Sequence, residues 1–171
     1  MRRMNAMEKV MHIRNNIDNY GDPYLLEMKP EEAAICRECR AVFAGGRWQL
    51  YDQAGPELRR ASHVVETLCP ACHKIHDRQP GGIVSLTGRF LKEHDTEIIN
   101  LINHENRSAM NINPLERIMD IERSEDGLTV YTTNEKLAQK IGRAVHKAYS
   151  GDVEYKWSED TRLARVNWHR D

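Results

Sequence analysis

Long apolar runs are missing from this sequence. No stretch approaches eighteen consecutive apolar residues, so no membrane-spanning helix is expected. Aromatic residues make up only 6% of the chain, which leaves little material for an aromatic core. The opening segment, MRRMNAMEKVMHIRNNIDNY, lacks the apolar stretch of a secretory signal, so the chain reads as cytoplasmic. A large net charge is also absent. The balance is −1 at pH 7, which argues against a surface that is cationic throughout. There is no GxxxxGK phosphate loop, no GxSxG and no HExxH. A non-enzymatic role is therefore expected, and no small-molecule substrate suggests itself.

Cysteine is scarce: the 171 residues contain four. All four fall into one pattern, C-x2-C-x29-C-x2-C, made of Cys36, Cys39, Cys69 and Cys72. Disulfides are rare in the cytosol, and cysteine pairs there more often hold metal or do redox work. A CxxC turn presents two thiolates to one side of an ion, and two such turns complete a tetrahedron. The expected cofactor is one structural zinc. A thioredoxin-like pair would need a βαβ context, which is lacking around Cys36. The rival is iron, because the 29-residue gap also resembles that of rubredoxins. Each rubredoxin CxxC is followed by glycine, where this chain has Arg40 and His73. His73 and His76 are expected beside the site rather than in it. A four-cysteine site has no open position for water or substrate, which makes it a scaffold.

Around the cysteines, Ala41–Phe43 and Arg47–Tyr51 read as strands joined at Gly45-Gly46. Pro70 suits the first turn of a helix that stops before Pro80. Residues 1–34 are rich in turn formers and read as a loosely structured arm, with some helix around Met7–Ile13.

Beyond residue 87 the pattern turns helical, with a break near His94-Asp95 and a cap at Asp95. Phe90, Leu91, His94, Ile98, Leu101 and Ile102 form one stripe. RIMDIERS and LTVYT read as strands joined at Asp126-Gly127. A helix follows, capped by Thr132 with Glu135, with Leu137, Ile141, Val145 and Ala148 inward and Gly151 at its stop. VEYKW and LARVNW alternate as two more strands, turning at Glu159-Asp160. The expected fold class is α+β. A small treble-clef or zinc-ribbon-like module (35–86) precedes a helix plus a ββαββ antiparallel-sheet domain (87–171).

Charge is unevenly spread. Residues 36–90 carry eight basic and five acidic groups, whereas 91–126 carry four and nine. Arg37, Arg40, Arg47, Lys74 and Arg78 cluster near the cysteines, with Trp48 available to stack on a base. Lys136, Lys140, Arg143 and Lys147 recur at helical spacing and form a second stripe that suits phosphates. The expected partner is RNA or a ribonucleoprotein, with a protein–protein adaptor as the alternative.

The cysteine frame, with GRW, RIMDIE and TTNEKLAQKIGRAVHKAYSG, resembles a family of uncharacterised bacterial zinc-ribbon proteins. It is also distantly similar to the zinc-bearing portion of the ribosomal large-subunit export adaptors of archaea and eukaryotes. The second resemblance rests on the paired CxxC and the segment from Thr132 to Gly151. It implies binding to ribosomal RNA or a ribosomal surface, and only Cys36, Cys39, Cys69 and Cys72 carry over.

Overall fold

A computed structural model describes residues 32–158 and 160–171. The expected helix at Met7–Ile13 and most of the expected arm lie outside the described residues. The arm's last three positions do not: they open a strand, β1 (Glu32–Cys36). After it come β2 (Val42–Ala44), β3 (Arg47–Gln49), α1 (Gly55–Arg60), β4 (His63–Thr67) and α2 (Pro70–Asp77). The four strands form one sheet in the order β3-β2-β1-β4. Gly45 and Gly46 turn the β2–β3 hairpin at φ +61° and +80°. Both angles lie in the left-handed region that a two-residue hairpin of this kind requires. Buried Gln49 completes the corner by donating to the Ala44 carbonyl and to the Glu57 carboxylate.

α1 and β4 carry little signal in the sequence. α1 buries no residue and has no side-chain cap, and β4 is mostly exposed. Yet β4 decides the module. It runs parallel to β1, and Cys36 pairs with Thr67. Parallel neighbours need a crossover of a dozen residues or more, and much of the gap between the cysteine pairs supplies it.

The second sheet is built from β5 (Gly82–Thr87), β6 (Ile118–Arg123), β7 (Gly127–Thr132), β8 (Asp152–Trp157) and β9 (Ala164–His169), in the order β6-β7-β5-β9-β8. Three helices, α3 (Arg89–Glu93), α4 (Asp95–Ile112) and α5 (Glu135–Tyr149), lie between these strands in sequence. The expected strand–strand–helix–strand–strand run is present as β6, β7, α5, β8 and β9. It does not form the sheet alone. β5, read in the sequence as the tail of the cysteine module, is the middle strand, antiparallel to β7 and parallel to β9. The sheet is therefore mixed. The sequence disguised β5 because its first inward position is a glycine. A Cβ on Gly82 would sit 2.4 Å from the Ala138 Cβ and 2.5 Å from Thr132 Oγ1. The residue that looks like punctuation is what lets α5 close onto the strand.

Helices and sheet share one core. Val84, Leu86, Leu128, Val130, Val166 and Trp168 face Leu91, Ile98, Ile102, Leu137, Ile141 and Val145. The break between α3 and α4 falls at His94 as expected, but His94 is the cap position and makes no side-chain cap bond. Asp95 instead pairs with Arg123 at 3.1 Å. α5 is capped by Asn134, which accepts from the Leu137 amide at 3.0 Å, rather than by Thr132. Thr132 bonds the Asn134 carbonyl. Ala148 is exposed, and the inward face runs instead through Ala138 and Gly142. The β6–β7 turn lies one residue earlier than expected, with Ser124 and Gly127 exchanging backbone bonds. Among the described residues, no helix is long and apolar enough to cross a membrane.

Candidate metal centre

The first cysteine pair lies at the end of β1 and in the turn after it. The Cys36 amide bonds the Ala41 carbonyl, and the Arg40 amide bonds the Cys36 carbonyl, which folds the turn back on itself. Arg40 closes it at φ 63°. That left-handed angle is costly for a side-chain-bearing residue, and it is the conformation that a glycine would relieve. The second pair belongs to a helix. Cys69 is the N-cap of α2, Pro70 is its first residue, and Cys69 Sγ accepts from the Cys72 amide at 3.4 Å. A knuckle and the first turn of a helix thus supply the sulfurs, with the β2–β3 hairpin between them in sequence, the order of parts in a treble clef.

The four Sγ atoms lie within 4.8 Å of one another. Cys36 and Cys72 are 3.7 Å apart, and Cys39 and Cys69 3.6 Å. A tetrahedron with 2.3 Å metal–sulfur bonds has edges of about 3.8 Å. Donor type and spacing both fit, so Cys36, Cys39, Cys69 and Cys72 could hold one metal ion. The Cys69 amide also donates to Cys36 Sγ at 3.3 Å. Cys36, Cys69 and Cys72 are buried, and Cys39 faces solvent.

The sulfurs strongly influence each other. Cys39 is drawn down to about 4, chiefly by the hydrogen bond from the Cys69 thiol. That same bond, with burial, pushes Cys69 far above the usual thiol range. Burial pushes Cys72 up to about 11, against the opposing pull of Arg117. A metal ion would supply the positive charge that lets the set ionise together.

Beside the sulfurs lie the two expected histidines, the carboxylate of Glu38 and one residue that was not foreseen. His76 on α2 lies 2.7 Å from Glu38 in the knuckle, which joins the two halves and holds the Glu38 carboxyl below its usual range. His73 lies within α2, its amide bonded to the Cys69 carbonyl. Neither histidine belongs to the sulfur cluster. The unforeseen residue is Arg117, just ahead of β6. One of its terminal nitrogens donates to both Cys69 Sγ and Cys72 Sγ, each at 3.3 Å. No local pattern announces it, because its partners lie more than forty residues away in sequence.

The ten residues expected to meet nucleic acid meet different fates. Arg37, Arg47 and Arg78 are exposed on the cysteine module, and Lys136, Arg143 and Lys147 are exposed on α5. Arg40 is exposed but sits 4.0 Å from Glu66. Lys140 pairs with Glu105 of α4 at 3.5 Å. Lys74 turns inward to the Thr133 carbonyl at 3.3 Å. Trp48 is half-buried, edge-on to Phe43, and packs against the cysteine cluster.

Compared with known proteins, the chain matches no family model and no curated sequence.

Proposed function

We propose that this chain is a zinc-scaffolded, non-enzymatic binding module whose partner is RNA or a ribonucleoprotein. One observation carries the reading. The metal site is closed by four sulfurs, while exposed cations stand on both halves of the chain: Arg37, Arg47 and Arg78 on the module, Arg143 and Lys147 on α5. Zinc is favoured over iron by the second cysteine pair. It opens a helix and does not form the second glycine-type knuckle of a rubredoxin. Arg40 no longer separates the two metals, because its backbone makes the turn without glycine. Colour distinguishes them directly: oxidised iron tetrathiolate is red and zinc is colourless.

The test of the partner is a salt titration against total cellular RNA. Changing Arg37, Arg47, Arg78, Arg143 and Lys147 to glutamine should weaken binding and flatten the salt dependence. Each lost phosphate contact removes about 0.7–0.9 from the log–log slope. Equal slopes for the two proteins, or no RNA binding at low salt, would reject the nucleic-acid reading.

A protein partner is the second reading, and the outer face of the five-stranded sheet favours it. Asp120, Tyr131, Ile83, Arg165 and Lys156 lie in one row across the strands, and Glu122, Thr129, Ser85, Asn167 and Glu154 in the next. Both signs of charge are interspersed there, which suits a protein surface better than a polyanion. Binding through that face would survive the glutamine changes.

A further inference from the structure

Arg117 belongs to one half of the molecule and spends its side chain on the other. Its backbone is tied to the second sheet. The Thr133 amide donates to the Arg117 carbonyl at 2.9 Å, and the Arg117 amide donates to Thr133 Oγ1 at 2.9 Å. Thr133 Oγ1 also reaches the Leu115 carbonyl, and Leu115 packs against the cysteine cluster. Lys74, two residues beyond Cys72 on the same helix, donates to the Thr133 carbonyl. The two elements are thus joined in both directions.

The Arg117 guanidinium is costly where it lies. Its Nε is buried and has no hydrogen-bond partner among the described residues. A buried donor left unmatched is destabilising, and a buried charge demands still more compensation. Four thiolates around a divalent ion leave a net charge of about −2. A guanidinium shared between two of those sulfurs is the matching countercharge.

We infer that Arg117 is an outer-sphere positioning residue of the metal centre, and that through it metal occupancy holds the Leu115–Ile118 and Thr133 segments of the second sheet against the cysteine module. The inference rests on the four cysteines holding a metal ion. Arg117 withdraws electron density from Cys69 and Cys72, shields them and completes the charge balance. Removing the ion removes the reason for the guanidinium to stay.

Cobalt(II) is the probe, because its thiolate complexes are coloured. Wild type, Arg117→Ala and Arg117→Lys are titrated with cobalt and then challenged with a chelator. Arg117→Ala should bind cobalt at the same stoichiometry but roughly ten- to hundredfold more weakly. Its sulfur-to-cobalt absorption should move to longer wavelength, because sulfurs without the hydrogen bonds give up charge more readily. Arg117→Lys should restore part of both. An Arg117→Ala spectrum and affinity equal to wild type would overturn the inference while leaving the metal reading intact. Failure of wild type to bind cobalt would overturn both. Hydrogen exchange on wild type covers the case in which Arg117→Ala does not fold. Stripping the metal should expose amides at 115–118 and 133 while the middle of α5 stays protected. Unchanged protection at 115–118 would also overturn it.

Discussion

Cys69 ends a loop, caps a helix through its sulfur and offers that sulfur to a metal. Serine keeps an acceptor for the cap but is a poor ligand beside soft thiolates. Cys69→Ser should therefore lose metal while α2 remains cappable, which metal analysis of protein purified under reducing conditions would show against about one zinc per wild-type chain. The thiols also set a pH dependence. Cys69 and Cys72 are held above the usual range when metal-free, and Cys39 at about 4 is already ionised near neutrality. Metal binding must then expel protons from Cys69 and Cys72, so affinity rises with pH. Each proton expelled adds about tenfold in affinity per pH unit between pH 6 and 8, so these two give at least about a hundredfold. Calorimetry in buffers of different ionisation heat counts those protons, and a pH-independent affinity would contradict the assignment. At this scale the clustering of the four cysteines was legible because their spacing is itself the signal. Arg117 was not, because its role exists only once two distant segments meet.

α5 is the element whose pattern was clearest and whose details shifted most. Leu137, Ile141 and Val145 are fully buried, and Leu137→Ala should cost about 2–5 kcal/mol by urea denaturation. Ala148 is exposed, so polar substitution there should stay within about 0.5 kcal/mol. Gly142 sets two effects against each other. Alanine gains about 1 kcal/mol in helix propensity. Its Cβ, however, would lie 2.5 Å from Val166 Cγ1, on a stiff branched side chain in β9. Overpacking costs about 1–3 kcal/mol, so Gly142→Ala should destabilise on balance. Periodicity could name the buried face but not its edge, because an alanine near a helix end looks the same inside or out. The cap was misplaced for a related reason: Thr132, Thr133 and Asn134 all have oxygens to offer, and only the path of the chain out of β7 selects Asn134.

Among the described residues the apolar clusters are of unequal strength. The cysteine cluster has few large apolar neighbours, whereas the second sheet packs leucine, isoleucine, valine and tryptophan against three helices. Losing Cys39 or Cys72 should unfold the module and leave the five-stranded sheet standing, apart from its junction around Arg117. Hydrogen exchange that collapses across both halves together would contradict this. Strand existence was partly legible from alternation, but strand order was not. The two pairings that organise the sheets, β1 with β4 and β5 with β9, are parallel and remote, and nothing local encodes them. The second of these has a consequence for biosynthesis. The chain emerges in order, so the cysteine module is complete while the β5 flank that pairs with β9 is still bare. Gly82 must wait for Ala164, and until β9 arrives that flank offers open hydrogen-bonding groups to any passing strand. A chain truncated before residue 164 should accordingly associate with its own copies, which size-exclusion chromatography would show, and the chain of 171 residues should not.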